Sequence, residues 1–159
     1  MASHRRLGKR SVWLVIAIAI TGALMTLGLL NHLLSSGDLD PSLAEDRVRA
    51  GGLVGGTILQ WVLFSVLYSL GISNVRRPLH HKRFMVASAI QMMPTGLTRL
   101  LGLAGLHGPA VLLVMLGLYS SILVYDWRSD RRCHWSTLVS LGLFLTLPLC
   151  FFTLFASQW

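Results

Sequence analysis

Five long apolar runs occupy most of this 159-residue chain, and they limit its possible folds more than any other feature. Crossing about 30 Å of hydrocarbon takes roughly 20 apolar residues in a helix, because only a helix satisfies its own backbone hydrogen bonds in lipid. The runs cover approximately residues 12–34, 51–72, 83–103, 109–125 and 135–156. The sequence therefore predicts one all-α domain, an integral membrane bundle of five transmembrane helices.

The composition argues against a nucleic-acid-binding protein, although the formal net charge is +8. Hydrophobic residues make up 53% of the chain and charged residues only 13%, whereas about a quarter of a soluble domain is charged. The basic residues lie between the apolar runs, and a nucleic-acid surface would gather them on one face. We therefore expect the lipid bilayer as the partner and no nucleic acid, with a second membrane protein as a further possible partner.

The basic residues between the runs also predict how the helices are oriented. Lys and Arg are retained on the cytoplasmic side of short loops. An up-down path that starts with a cytoplasmic N-terminus places three basic clusters on that side. Most of the 14 Lys and Arg residues belong to these clusters, within residues 5–10, 76–83 and 128–132. The sequence thus predicts a multi-pass protein of the cell inner membrane with Trp159 outside.

The third predicted helix carries polar residues on one side. Gln91, Thr95 and Arg99 follow one another at intervals of four and so share a stripe, while Gln60 of the second helix lies in the same outer half of the membrane. These four residues either line a functional polar pocket, or Arg99 simply reaches the outer headgroups from near its helix end. Pro94 lies within the same helix and predicts a kink.

A second polar group is predicted at the cytoplasmic ends of the helices. Asp126 closes the fourth helix, Arg128 follows it, and His134 opens the fifth, while the third helix opens with His80, His81, Lys82 and Arg83. All these helix ends lie at one membrane depth. We expect Asp126 to form an ion pair with Arg83 or Arg128, because an unpaired carboxylate at the edge of the hydrocarbon is costly.

Two histidines of this group allow two interpretations. Two neutral imidazoles on facing helices at one level are what a six-coordinate haem b requires, and they suit a metal ion or a quinone headgroup as well. His81 and His134 are then the cofactor ligands of a redox membrane protein. On the other interpretation the group is a solvated interfacial cluster that orients the helices and attracts anionic lipid headgroups, and no cofactor is expected.

Catalytic motifs are missing from the sequence. It contains no Gly-rich phosphate loop and no His-Glu-x-x-His, Gly-x-Ser-x-Gly or Cys-x-x-Cys pattern, so it predicts no catalytic residue and no metal site. A structural or accessory membrane protein, rather than an enzyme, is the first hypothesis. The redox protein that holds haem b or a quinone is the alternative.

A pattern of separate short motifs extends from Ile58 to Phe144. The motifs are Arg77-Pro78, His81-Lys82-Arg83-Phe84-Met85, Arg99, Tyr125-Asp126, Arg131, His134 and Thr137. The pattern resembles the C-terminal part of a group of uncharacterised bacterial multi-spanning membrane proteins, in which proline stands at the position of Trp135. The resemblance implies a polytopic bacterial inner-membrane protein and no particular reaction. It also implies that five of these residues act together, namely His81, Arg83, Arg99, Asp126 and His134.

Overall fold

The computed structural model describes residues 2–37, 40, 43–106 and 108–156, and all regular secondary structure in those ranges is helical. The predicted all-α class is therefore confirmed. Trp159, predicted to lie outside the membrane, falls beyond the described residues. The helices follow one another as α1 (Ala2–Ser35), α2 (Ala44–Ser73), α3 (Pro78–Gln91), α4 (Pro94–Leu103), α5 (Gly108–Asp130) and α6 (Trp135–Ala156).

Three helices are long and apolar enough to cross a membrane. The stretches concerned are Val12–Ser35 in α1, Glu45–Ser73 in α2 and Pro109–Asp130 in α5, which contain the first, second and fourth predicted spans. The fifth predicted span corresponds to α6, a 22-residue helix in which Trp135–Thr146 forms a shorter apolar stretch. The apolar runs thus mark four helices correctly, although α2 begins seven residues before its predicted start at Gly51.

The third predicted span is not one helix, and the prediction of a continuous helix over 83–103 is wrong. The 14-residue α3 ends at Gln91 and the 10-residue α4 begins at Pro94. Pro94 has no amide hydrogen for the carbonyl oxygen of Ile90, and its ring crowds that carbonyl. The amide of Met93 bonds to Ile90 O instead, at 3.0 Å, so the ladder is interrupted rather than merely bent.

The chain divides into two compact units, Met1–Ile58 and Leu59–Trp159, and the second contains the buried core. There α3 packs against α5 and α6, α4 against α5, and α5 against α6. Phe84 and Tyr119 are the largest fully buried side chains, and the Tyr119 ring stacks on Phe144 with centroids 4.6 Å apart. Tight packing of large rings therefore holds α3, α5 and α6 together.

The first unit contains α1 and the beginning of α2. From Val12 to Ser35 every side chain of α1 is exposed or half-buried, with Trp13 at 74% and Leu24 at 64% exposed. A Cβ atom added at Gly52 or Gly56 of α2 would meet nothing within 4 Å. A large continuous apolar surface of this kind is typical of a membrane or protein interaction surface.

Replacing Phe84 with Ala is expected to lower the free energy of unfolding by about 3 kcal/mol, because it empties a fully buried position. Leu103→Ala on α4 is the matched control, since Leu103 is 90% exposed, and we expect it to change that free energy by less than about 0.5 kcal/mol. Reversible unfolding in mixed micelles measures both. Equal stability of the two variants would contradict the assigned core.

Candidate functional site

A polar cluster lies where the beginnings of α3 and α6 meet the end of α5. Proline at the first position starts α3, because its missing amide hydrogen would have no helical partner there. Arg83 follows little more than a turn later. Asp126 occupies the last part of α5, and His134 immediately precedes α6. The local sequence thus delivers charged and polar side chains from three elements to one level.

Asp126 is buried because of its position around α5. The apolar core residues of this helix recur at every third or fourth position, as Val111, Met115, Tyr119 and Ile122. Asp126 comes four residues after Ile122 and continues the same stripe, and its side chain has no exposed surface. The helix that builds the core therefore also turns this carboxylate inward.

The carboxylate of Asp126 forms an ion pair with Arg83. Arg83 Nε lies 2.7 Å from Asp126 Oδ1, and the two side chains are 7% and 0% exposed. The sequence predicted a pairing with Arg83 or Arg128, and the structure confirms the first. Arg128 is exposed, because a residue two positions after Asp126 points to a different side of the helix.

Both partners of the ion pair have further hydrogen bonds. Asp126 Oδ2 accepts from Thr137 Oγ1 at 2.5 Å and from the His134 amide at 3.3 Å. Arg83 donates through Nη1 to Leu79 O at 2.9 Å and through Nη2 to Asp130 Oδ2 at 3.3 Å. In the described ranges no buried side-chain nitrogen or oxygen lacks a partner. Such complete satisfaction offsets the desolvation of a buried pair.

The expectation of a solvated interfacial cluster is therefore wrong for the centre of the cluster. Arg83 and Asp126 are buried, and the structure exposes the outer members instead, with Asp130 36% and His134 20% exposed. The difference arises because α5 extends to Asp130, five residues beyond its predicted end. Asp126 consequently lies inside a regular helix, where the start of α6 covers it.

His80 joins α3 to the first turn of α6. Its Nδ1 lies 3.1 Å from Ser136 Oγ, and its Nε2 lies 3.1 Å from Trp135 Nε1. An indole nitrogen only donates, so His80 Nε2 has to be the acceptor and must carry no proton. The neutral ring then carries its proton on Nδ1 and donates it to Ser136. Both nitrogens are thereby occupied and the tautomer is fixed.

The surroundings of His80 favour this neutral form. Burial, the neighbouring His134 ring and the guanidinium groups of Arg77 and Arg83 lower the pKa of His80 from its ordinary value of 6.5. The His80 and His134 ring centroids are 5.9 Å apart. A proton on His80 would therefore meet cationic neighbours and a donor that already points at the ring.

The predicted pair of ligands, His81 and His134, is arranged differently from the expectation. His81 Nδ1 lies 2.7 Å from the carbonyl oxygen of Gly71 on α2. His134 Nε2 lies 2.7 Å from Asp130 Oδ2, and the histidine ring beside it belongs to His80. One residue around a helix corresponds to about 100°, so adjacent histidines point to different neighbours.

Of the three histidine rings in this cluster, His80 is the one that cannot ligate iron. Axial ligation by two imidazoles needs a free nitrogen on each ring, directed at one iron atom. Both nitrogens of His80 are bonded within the protein, whereas the side-chain hydrogen bonds of His81 and His134 each use one ring nitrogen. In the described ranges no group of three or more His, Cys, Asp and Glu residues is arranged to hold a metal ion.

The stripe predicted on the third helix is divided by the interruption at Pro94. Gln91 is buried at the end of α3, where its Oε1 accepts from Tyr119 Oη at 3.2 Å. Thr95 and Arg99 are exposed on α4, and Gln60 is half-buried on α2. Within the described part of the chain Gln60 and Arg99 share no hydrogen bond. The predicted stripe therefore does not form one pocket wall.

The sequence analysis missed three members of the cluster, namely Asp130, Ser136 and Thr137 as a hydrogen-bond donor, and it predicted no contact for His80. A periodic signal was present in α6, since Ser136, Ser140 and Phe144 are all buried and recur at intervals of four. Asp130 follows Asp126 at the same interval on α5. These positions can be recognised as buried only when the helix ends are placed correctly. The extent of the apolar runs does not place those ends.

Comparison of the chain with protein-family models, curated proteins and solved structures gave no match. A functional assignment therefore depends on the apolar helices and on the geometry of the polar cluster.

Asp126→Asn is expected to destabilise the protein by about 3 to 5 kcal/mol, because it leaves the buried Arg83 guanidinium without its charge partner. Asp130→Asn is the matched control on the same helix, and it should have a much smaller effect because that carboxylate reaches solvent. Unfolding of the purified variants in micelles measures the difference. A control as damaging as Asp126→Asn would show that burial does not set the strength of these contacts.

If the cluster only joins the three helices, we expect no Soret band in protein purified after haem-replete expression. Absorbance between 400 and 430 nm, which is roughly where haem b absorbs strongly, checks this. A stoichiometric band that disappears in His134→Gln would show that His134 ligates iron through the nitrogen that Asp130 does not bind.

Proposed function

We propose that this chain is a multi-pass inner-membrane protein with five spans and a structural or accessory role. The observation that carries the proposal is the completely satisfied, inward-directed cluster around Arg83 and Asp126. A substrate or cofactor site needs polar groups that remain available to a ligand. Here the polar groups bond to one another and join three helices, which is a structural role.

In this proposal α1, α2, α5 and α6 are four of the spans, and α3 and α4 together are the fifth; three of these helices, α1, α2 and α5, contain stretches long and apolar enough to cross by themselves. The 14 residues of α3 and the 10 of α4 amount to about 21 Å and about 15 Å of helix. Neither alone crosses the hydrocarbon, but their sum does. An interrupted span is tolerated where other helices cover the interruption, and α5 packs against both halves.

The orientation is supported by where the exposed basic residues fall. The turn between α2 and α3 and the turn between α5 and α6 have exposed basic side chains and, on five spans, share the side of the N-terminus. Exposed Trp127 and Trp135 lie next to them, as indoles do at headgroup level. The exposed basic residues are Arg76, Arg77, Lys82, Arg128, Arg131 and Arg132.

Anionic lipid headgroups are the partner that this basic rim fits. Each Lys or Arg close to an anionic leaflet contributes about 1 kcal/mol of attraction. The rim has few acidic residues to compete, because the carboxylates of Asp126 and Asp130 already bind Arg83.

Cysteine labelling tests the five spans with a native probe, since Cys133 is exposed in the turn before α6. With Cys150 replaced by Ser, an impermeant maleimide added to intact cells should leave Cys133 unlabelled. In a background without Cys133, a single cysteine placed at Val75 should be protected from the maleimide. A single cysteine placed at Leu106 should be labelled. Val75 is 57% and Leu106 is 50% exposed, and the two positions flank the α3–α4 pair.

Permeabilised cells supply the control, because all three cysteines should then react. Labelling of Val75→Cys and Leu106→Cys from the same side would show that α3 and α4 together do not cross, and would overturn the five-span proposal. Labelling of Cys133 from outside would reverse the proposed orientation.

A further inference from the structure

We propose that His80, Trp135 and Ser136 form a pH-sensitive clasp between the start of α3 and the start of α6, in which the bond from Trp135 holds only while His80 is neutral. The clasp lies wholly within the second unit, so it does not depend on how the chain is threaded through the membrane. It goes beyond the structural role proposed above, because it makes one contact of the bundle respond to acidification.

The direction of each hydrogen bond carries the proposal. Trp135 Nε1 donates to His80 Nε2, and His80 Nδ1 donates to Ser136 Oγ, both at 3.1 Å. A proton added to His80 must go to Nε2, because Nδ1 already has one. Two donors would then face each other across the Trp135 contact. Protonation therefore breaks one of the two bonds instead of strengthening it.

The other histidines of the cluster do not behave in this way. His81 Nδ1 donates to the carbonyl oxygen of Gly71, and His134 Nε2 donates to the carboxylate of Asp130. Each of these bonds uses a nitrogen that carries a proton in the neutral and in the charged ring alike. Among these three rings His80 alone accepts a hydrogen bond that acidification removes.

Charged groups on all three neighbouring elements fail to compensate a proton on His80. On α3 and its N-cap the nearby groups are cationic, Arg77 and Arg83. The ring next to it at the start of α6 is His134. On α5 the carboxylates are engaged elsewhere, Asp126 with Arg83 and Asp130 with both His134 and Arg83.

The sign of the pH effect follows from the lowered pKa of His80. The unfolded chain binds this proton more readily than the folded chain, so the stability that the clasp contributes is present above pH 6.5. It decreases as the pH falls below 6.5 and is gone below the folded-state pKa. Acidification thus releases the N–H of the Trp135 indole, which is already 44% exposed, from His80, while the ring contact of Trp135 with Phe84 of α3 remains.

The test follows the indole N–H resonance of Trp135 in micelles, in full-length protein labelled with ¹⁵N-tryptophan and assigned with Trp135→Phe. Between pH 8 and pH 4.5 it should titrate once, with a midpoint below 6.5, towards the position of an unbonded indole. His80→Gln should abolish the shift, because glutamine accepts and donates at any pH. His81→Gln is the matched control and should keep it.

Three results would overturn the clasp: a Trp135 resonance that does not move, a midpoint at or above 6.5, or a shift that persists in His80→Gln. If that variant does not fold, the ring nitrogen shifts of His80 in the unmodified protein decide the matter. At pH 8 they should show a protonated Nδ1 and a bare Nε2. The opposite tautomer would exclude the clasp.

Discussion

A buried pair of opposite charges is the constraint on which the second unit depends. Arg83 and Asp126 bring two ions into a place with almost no access to solvent, and the arrangement is stable only if every donor and acceptor is used. Thr137, the His134 amide and the Leu79 carbonyl supply the remaining bonds. The ion pair joins α3 to α5, and the bonds from Thr137 and the His134 amide join α5 to the start of α6. The ion pair thus sets how α3, α5 and α6 face one another.

The apolar core and the ion pair support each other through the same helical stripes. On α5 the stripe that buries Tyr119 also buries Asp126, and on α3 Phe84 lies beside Arg83. In lipid there is little hydrophobic gain from pressing helices together, so packing and interhelical hydrogen bonds decide the association. The Tyr119 bond to Gln91 adds a second polar contact deeper in the bundle, close to where α3 ends. The end of α3, just before the interruption at Pro94, is therefore held in place by both apolar and polar contacts.

The helices and the ion pair can be predicted from the sequence, because each of them avoids a large free-energy cost. Apolar length locates four of the helices, and the cost of an unpaired carboxylate predicts a basic partner for Asp126. Which partner it is, and which histidine meets His134, depends on helix rotation, where one position means about 100°. For that reason the sequence leaves both Arg83 and Arg128 open as the partner of Asp126, and it pairs His134 with His81, whereas the ring beside His134 in the structure is His80. Whether Pro94 bends the helix or breaks it depends on how the neighbouring helices pack around it. The apolar periodicity of the sequence does not reveal that packing.

A double-mutant cycle on the ion pair tests the central claim most directly. Arg83→Met and Asp126→Leu each leave one buried charge without its partner, whereas the double variant leaves an apolar contact of similar volume. Unfolding free energies of the four proteins in micelles give the coupling. We predict that the double variant is more stable than either single variant, with a coupling of at least about 2 kcal/mol. Additive losses in the double variant would contradict the account.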